Sequence, residues 1–169
     1  MNRITAKILY DEIMSSSPQG GFYVWLDPDE QTCLVLQKAL SGAPFKTRNT
    51  TEFHTTVLYH QGDVPTDVSV PKDREISGEI TEFVVWEEKD GENIIVALVK
   101  SPRLMSLHYE LIGERFKHSF DDYTPHISVG KKVELNATVR TWLEEVNDFL
   151  KENPIPVVYD KALKASSLK

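Results

Sequence analysis

Two short segments each carry a histidine followed two positions later by a hydroxyl residue, and these residue types have the clearest capacity for chemistry. The first is His54-x-Thr56 and the second is His126-x-Ser128. If both segments are strands, residues two apart point to the same face, so each imidazole lies beside a hydroxyl. Near neutral pH one histidine can accept a proton while another donates one. Two such segments facing each other would suit phosphodiester transfer at a ribose, with the hydroxyls donating to the phosphate oxygens.

The pattern is short, and among five histidines one match is expected by chance. The other three histidines do not fit it. His60 is expected on the same strand face as His54 and Thr56, where it either lines a groove or is exposed to solvent. His108 and His118 are expected on the surface of a helix. Both matches lie in β-patterned runs at comparable places in the two halves of the chain. We therefore interpret them as one paired site rather than as two unrelated structural histidines.

Composition and charge limit the classes of partner. The chain has 169 residues, with 40% hydrophobic and 27% charged residues, which is ordinary for a soluble globular domain. The net charge of −7 argues against a long nucleic acid as partner but allows a small nucleotide. No apolar run reaches membrane-spanning length and no signal-peptide core is visible, so we expect a cytoplasmic protein without a membrane partner.

No sequence pattern typical of a metal site or a disulfide is present. There is no Cys cluster, no His-Glu-x-x-His and no Asp-rich loop, so neither a metal nor another cofactor is expected. The single Cys33 lies in a helical pattern, where a buried, inert thiol is the expected role.

Apolar periodicity and turn residues divide the chain into alternating helices and strands. The first half is predicted to contain a helix over 3–14, a strand over 21–26, a helix from Asp27-Pro28 to near Gly42, the first histidine strand and a connecting segment over 61–73. The second half is predicted to contain strands over 75–88 and 93–99 joined by a turn at 89–92, a helix from Ser101-Pro102 to near His118, the second histidine strand, a helix over 137–152, an edge strand over 155–159 and a frayed end over 161–169.

Each half thus places its histidine strand after a helix. This order predicts an α+β fold in which antiparallel sheets are backed by helices. We expect one domain over residues 1–169, with one lobe over about 1–70 and the other over about 71–169. A pseudo-twofold relation between the lobes would bring the two motifs together across a groove. The oligomeric state cannot be inferred.

The two motifs resemble the signature motifs of the two-histidine (2H, LigT-like) phosphoesterase superfamily. Within that group the chain is most similar to the phage anti-CBASS proteins, which degrade cyclic oligonucleotide signals. The residues that carry the closer resemblance are Gly21-Phe22-Tyr23-Val24, the run from Phe53 to Tyr59, Trp86, Ser101-Pro102, Leu104, Leu107-His108 and the run from Tyr123 to Ser128.

This resemblance implies the bilobed 2H fold and a metal-independent phosphodiesterase acting in the cytoplasm of an infected bacterium. Its substrate would be a cyclic di- or trinucleotide, cleaved at 3′–5′ bonds, and its effect would be to suppress CBASS defence. The catalytic roles carry over onto His54, Thr56, His126 and Ser128. The serine is a departure, since threonine is more usual there, but a hydroxyl donor is retained.

Aromatic side chains hold the bases in this group, and Tyr23 and Trp86 are the residues that fit best. Both can face away from the core on their strands, where a ring could stack on a base. Either Tyr159 or Asp160, after the closing strand, could reach a base edge. The basic residues that flank the motifs are by default solvated surface charges rather than phosphate ligands; they are Lys46, Arg48, Lys131 and Lys132.

Two alternatives remain at this stage. The first is a phosphoesterase acting on RNA ends, such as a 2′,3′-cyclic phosphodiesterase or an RNA-repair enzyme; the acidic net charge counts against it. The second is a non-catalytic nucleotide-binding protein of the same fold; two chemically competent motifs count against that.

Overall fold

The computed structural model describes residues 3–5, 22–60, 69–71, 75–112, 123–160 and 164–167. The strands in this part of the chain are β1 (Arg3–Thr5), β2 (Phe22–Leu26), β3 (Thr55–His60), β4 (Ser69–Pro71), β5 (Ser77–Glu87), β6 (Asn93–Lys100), β7 (His126–Gly130), β8 (Ile155–Val158) and β9 (Lys164–Ser167). The α-helices are α1 (Glu30–Ala39), α2 (Pro102–Ile112) and α3 (Ala137–Glu152), and a single 3-10 turn spans Thr50–Glu52.

The described strands form antiparallel sheets that bring the two histidine strands together. One sheet has the order β3-β2-β9, another has the order β7-β6-β5-β8, and β1 pairs with β4. Both histidine strands, β3 and β7, are therefore outer strands of their sheets, and they lie against each other. Antiparallel sheets with helices confirm the predicted α+β class, and β8 has the predicted edge position.

Side-chain caps explain where the helices begin. The Asp29 carboxylate accepts a hydrogen bond from the Thr32 amide at 2.8 Å, and the Asn136 side chain accepts one from the Val139 amide at 2.9 Å. Ser101 Oγ accepts from the Leu104 amide at 3.1 Å, and proline fills the first turn of α2. The starts of α2 and α3 agree with the sequence prediction, whereas α1 begins at Glu30 rather than at Asp27-Pro28, because Asp29 provides the cap.

One hydrophobic core lies between the sheets and the helices. The fully buried side chains come from both sheets and from α1 and α2, and they include Leu26, Leu36, Leu58, Ile80, Phe83, Ile95, Leu104, Leu107 and Ile127. The apolar faces of both histidine strands belong to this core. The backbone of each motif is therefore held by close packing on one side.

Three sequence predictions fail, two at the termini and one in the middle of the chain. Residues 3–5 form a strand rather than the start of a helix over 3–14, and its partner β4 lies inside the predicted connecting segment. Positions 6–14 are outside the described residues. Residues 164–167 do not fray but pair with β2. In each case the partner strand is remote in sequence, so local periodicity carries no sign of it.

Two histidines lie where the sequence did not place them. His108 is 2% exposed and joins the buried face of α2 with Leu104, one turn before it, so the prediction of a helix-surface residue is wrong. His60 is 7% exposed instead of lining a groove face or lying open to solvent. The cause is a β-bulge in β3, where Val57 has no partner in β2 and reverses the alternation after it. His118 lies outside the described residues.

Candidate active site

Both motif histidines are anchored in the same way by the backbone two residues before them. His54 Nδ1 lies 2.9 Å from the carbonyl oxygen of Glu52, and His126 Nδ1 lies 2.8 Å from that of Thr124. Because a carbonyl oxygen only accepts, each Nδ1 carries the proton and donates it. This fixes the tautomer and leaves Nε2 of each ring as the atom for proton exchange with a substrate.

Burial and neighbouring groups alter the proton affinity of His126. The pKa of His126 is lowered from its ordinary value of 6.5, chiefly because burial disfavours the charged ring. The hydrogen bond to Thr124 opposes this lowering, and a charge on His54 adds to it. His54 directly precedes β3 instead of lying within it as predicted, and His126 begins β7, the strand that contacts β3. That the two rings share one site remains a prediction.

The hydroxyl residues lie in the strands as expected. Thr56 in β3 pairs with Trp25 of β2, and Ser128 in β7 pairs with Val96 of β6. Both residues are half-buried, each two positions after its histidine. Their roles as donors to phosphate remain predictions.

Trp86 lies directly against one of the histidines. Its ring centroid is 4.4 Å from that of His126, with the planes at 63°. The indole ring is therefore in direct contact with the imidazole ring. It is half-buried rather than part of the core, so contact with a base remains open to it as well.

The other predicted base contacts have different surroundings. Tyr159 is 2% exposed, and its hydroxyl lies 2.7 Å from Thr55 Oγ1 inside the core, so this placement does not fit contact with a base edge. Asp160 is exposed, and its amide donates to the Asp27 carbonyl at 2.8 Å; its role stays a prediction. Tyr23 pairs with Tyr59 across β2 and β3, but its side chain lies outside the described part of the structure.

Glu52 links the loop before the first motif to the end of the second histidine strand. Its carboxylate pairs with Arg48 at 3.2 Å and with Lys131 at 3.6 Å. The pKa of this carboxyl is lowered, mainly by the hydrogen bond from the Asn49 amide and then by the two basic side chains. Arg48 and Lys131 are thus engaged with Glu52, whereas Lys46 and Lys132 are exposed.

Close packing fixes the far end of β7. A Cβ on Gly130 would meet the Phe45 ring at 2.7 Å, so only glycine allows this approach. The residues before β3 then pair with β7: Arg48 donates its amide to the Val129 carbonyl at 2.9 Å. The loop before His54 is therefore hydrogen-bonded to β7, the strand that carries Ser128.

Sequence reasoning did not assign roles to several residues that support the site. Tyr123 donates its hydroxyl to the Thr56 carbonyl at 2.9 Å, and its ring stacks on His108 with centroids 3.8 Å apart. His108 Nδ1 in turn lies 2.6 Å from the Val57 carbonyl. Both residues lie in the segments that carry the family resemblance, and this resemblance was the signal that could have indicated a role for them. Their contacts depend on tertiary packing that no local pattern reveals.

The described residues contain neither a candidate metal site nor a helix that could span a membrane. No three His, Cys, Asp or Glu side chains there are grouped so that they could hold a metal ion. In the same part of the chain, no helix is long and apolar enough to cross a membrane.

Comparison with known proteins identifies the family. The model of the family described as "Anti-CBASS protein Acb1" matches residues 20–152, which include both histidine motifs and Trp86. The chain belongs to the Acb1 family. A similar Acb1 family member is the anti-CBASS protein Acb1 of Vibrio phage KVP40, which is 32% identical over 115 residues. That match covers 64% of this chain and 71% of the phage protein.

Proposed function

We propose that this protein counters CBASS defence by cleaving the 3′–5′ phosphodiester bonds of cyclic di- or trinucleotide signals. The observation that carries the proposal is the pair of histidines, each held through Nδ1 by a backbone carbonyl and each at the start of one of two strands that contact each other. Membership of the Acb1 family supports the biological role, because the phage relative is an anti-CBASS protein. The resemblance to 2H phosphoesterases supports the chemistry.

The proposed reaction uses the 2′-hydroxyl of the substrate as its nucleophile. One imidazole takes the proton of this hydroxyl through Nε2 as the 2′-oxygen attacks the adjacent phosphorus. The bond from phosphorus to the 5′-oxygen breaks, and the second imidazole gives its proton to that oxygen. The ring opens to a linear molecule with a 2′,3′-cyclic phosphate and a 5′-hydroxyl, and water can then open the cyclic phosphate.

The electrostatics favour one assignment of the two roles. His126 has a lowered pKa and is suited to act as the neutral base, which leaves His54 as the acid. Each proton transfer contributes roughly 10²–10⁴-fold to the rate. The hydroxyls of Thr56 and Ser128 would donate to the non-bridging oxygens, where negative charge increases in the transition state. Both proton transfers are assigned to side chains, so the reaction is proposed to need no metal ion.

A substrate panel separates this function from the alternatives. Purified protein is incubated with cyclic di- and trinucleotides of different base composition and, in parallel, with an RNA oligomer that ends in a 2′,3′-cyclic phosphate. We expect turnover of at least one cyclic oligonucleotide and slower or no turnover of the RNA end. Preferred turnover of the RNA end would favour an RNA-repair enzyme. Tight binding of a cyclic oligonucleotide without turnover would favour a non-catalytic binding protein.

The nucleophile is tested with a modified substrate. A cyclic oligonucleotide that turns over is compared with an analogue in which every 2′-hydroxyl is a methyl ether. We expect the analogue to bind but not to be cleaved, because the nucleophile is blocked. Cleavage of the analogue at a rate near that of the parent would mean that water attacks directly.

A further inference from the structure

Two consecutive backbone carbonyl groups, at the end of the first histidine motif and directly after it, accept hydrogen bonds from side chains outside its sheet. Thr56 O accepts from the Tyr123 hydroxyl at 2.9 Å, and Val57 O accepts from His108 Nδ1 at 2.6 Å. Val57 is the extra residue of the β-bulge, where the ladder to β2 is locally interrupted. The side chains of His108 in α2 and of Tyr123 before β7 therefore supply hydrogen-bond donors at the β-bulge of β3.

The two donors also contact each other. The rings of His108 and Tyr123 are stacked, with centroids 3.8 Å apart and planes at 15°. His108 is 2% exposed, and burial raises the pKa of the Tyr123 phenol well above its ordinary value. Because the two rings are in direct contact, we expect a change at one of them to alter the placement of the other.

The position of Tyr123 connects this stack to the second motif. Tyr123 directly precedes Thr124, whose carbonyl accepts the Nδ1 hydrogen bond of His126. The neighbouring Pro125 carbonyl accepts from the Val99 amide at 2.9 Å, which ties the same segment to β6. A hydrogen bond from Tyr123 to Thr56 therefore joins the backbone of one motif to the segment that orients the imidazole of the other.

We propose that Tyr123 and His108 are a positioning pair that sets the placement of His54-x-Thr56 relative to His126. Neither residue is assigned a proton transfer. The effect of the pair on the reaction rests on the proposed function. Misplacement of reacting groups by about 1 Å can cost about 10²-fold in rate. The effect of the pair on the placement of the two motifs rests only on the contacts described above.

Four variants test the pair. Tyr123→Phe keeps the stacked ring and removes the hydroxyl, and His108→Phe keeps an aromatic ring and removes the donor to Val57. His108→Asn is the conservative variant, because its amide nitrogen lies the same number of bonds from Cα as Nδ1. Tyr159→Phe is the matched control: it also removes a buried tyrosyl hydroxyl bonded to β3, but that hydroxyl is bonded to the Thr55 side chain rather than to the Thr56 backbone carbonyl.

For both Phe variants at the pair we expect kcat to fall about tenfold or more, with KM within about threefold of wild type. The fall should exceed that of Tyr159→Phe at a similar loss of Tm, and His108→Asn should recover most of the rate. If kcat simply followed Tm in all four variants, the pair would be structural only and the inference would be overturned.

A second measurement does not depend on activity. The imidazole resonances of His54 and His126 are compared by NMR in wild type, Tyr123→Phe and Tyr159→Phe. We expect Tyr123→Phe to shift both sets of resonances and Tyr159→Phe to leave those of His126 in place. Unchanged resonances in Tyr123→Phe would overturn the pair. An inactive wild-type protein would overturn the proposed function and leave this NMR result intact.

Discussion

The imidazole of His126 lies against the indole of Trp86, with ring centroids 4.4 Å apart and planes inclined at 63°. The contact removes water from one side of the ring, and burial is the largest cause of the lowered pKa of His126. We therefore expect a second role for Trp86 beside the predicted stacking on a base, because an indole in this position would help to keep the imidazole neutral. The sequence predicted that this indole can face away from the core and stack on a base; the structure in addition places it beside a proposed proton acceptor.

Replacement of Trp86 tests this relationship. In Trp86→Ala water reaches His126, so its pKa should rise toward 6.5. The acidic limb of the pH–rate profile should then move to higher pH, since a base works only when unprotonated. NMR titration of the imidazole measures the pKa directly. Trp142→Phe is the control, because Trp142 packs against Phe45 and Phe83; a pKa that moves equally in both variants would contradict the account.

The same substitution reports on substrate binding. Stacking of an aromatic side chain on a base is worth roughly 1–3 kcal/mol. We therefore expect Trp86→Ala to weaken the binding of a cyclic oligonucleotide in calorimetry with an uncleavable 2′-methyl ether analogue. Unchanged affinity together with a large loss of Tm would show that the indole serves only the fold.

Asparagine substitutions separate proton transfer from architecture at the two histidines. His54→Asn and His126→Asn keep a donor for the carbonyl groups of Glu52 and Thr124 but lack Nε2. We expect each variant to lose roughly 10²–10⁴-fold in kcat. The Tm should change little, since both side chains are only partly buried. The double variant should lose less than the product of the two, as for residues that act as a unit. Near-normal rates in either variant would remove it from the acid–base pair.

Stability should decrease in mild acid because of two histidines. The pKa values of His108 and His126 are lowered by burial from an ordinary 6.5. Between the folded-state value and 6.5 the unfolded chain binds more protons, so the free energy of unfolding falls as the pH falls through this window.

Urea unfolding at pH values from about 7.5 to 5 measures this effect. The midpoint should fall with pH in wild type and fall less in His108→Asn, which has no titrating ring at that position. A midpoint that is constant or rises as the pH falls to about 5.5 would contradict the assignment of these histidines as neutral in the folded protein.

The sequence predicted much of the fold because most elements carry local signals. The caps at Asp29, Ser101 and Asn136 and the positive φ of 83° at Gly91 in the hairpin turn are properties of short segments. The strands β1 and β9 were missed because each depends on a partner far away in the sequence. The bulge at Val57 was missed for the same reason, and with it the burial of His60.

The sequence predicted only part of the candidate site, because some features of the site are local in sequence and others depend on tertiary structure. The spacing of His54 and Thr56 within one segment is visible in the sequence, and so is the second copy of the motif. The carbonyl anchors at Glu52 and Thr124, the contact of Trp86 with His126, and the stack of His108 on Tyr123 arise from tertiary structure. A buried histidine on a helix has the same local pattern as an exposed one, so His108 could not be assigned in advance.

The central claim is that two histidines cleave a cyclic oligonucleotide without a metal ion. The most direct measurement is incubation of all-3′–5′ cyclic trinucleotides and dinucleotides with the protein in EDTA, followed by chromatography and mass spectrometry of the products. Wild type is compared with His54→Asn and His126→Asn. We predict ring opening by wild type in EDTA to a linear product with a 2′,3′-cyclic or terminal phosphate, and opening that is roughly 10²–10⁴-fold slower with either variant. Loss of wild-type activity in EDTA with recovery on addition of a divalent ion, or equal cleavage by the variants, would contradict the claim.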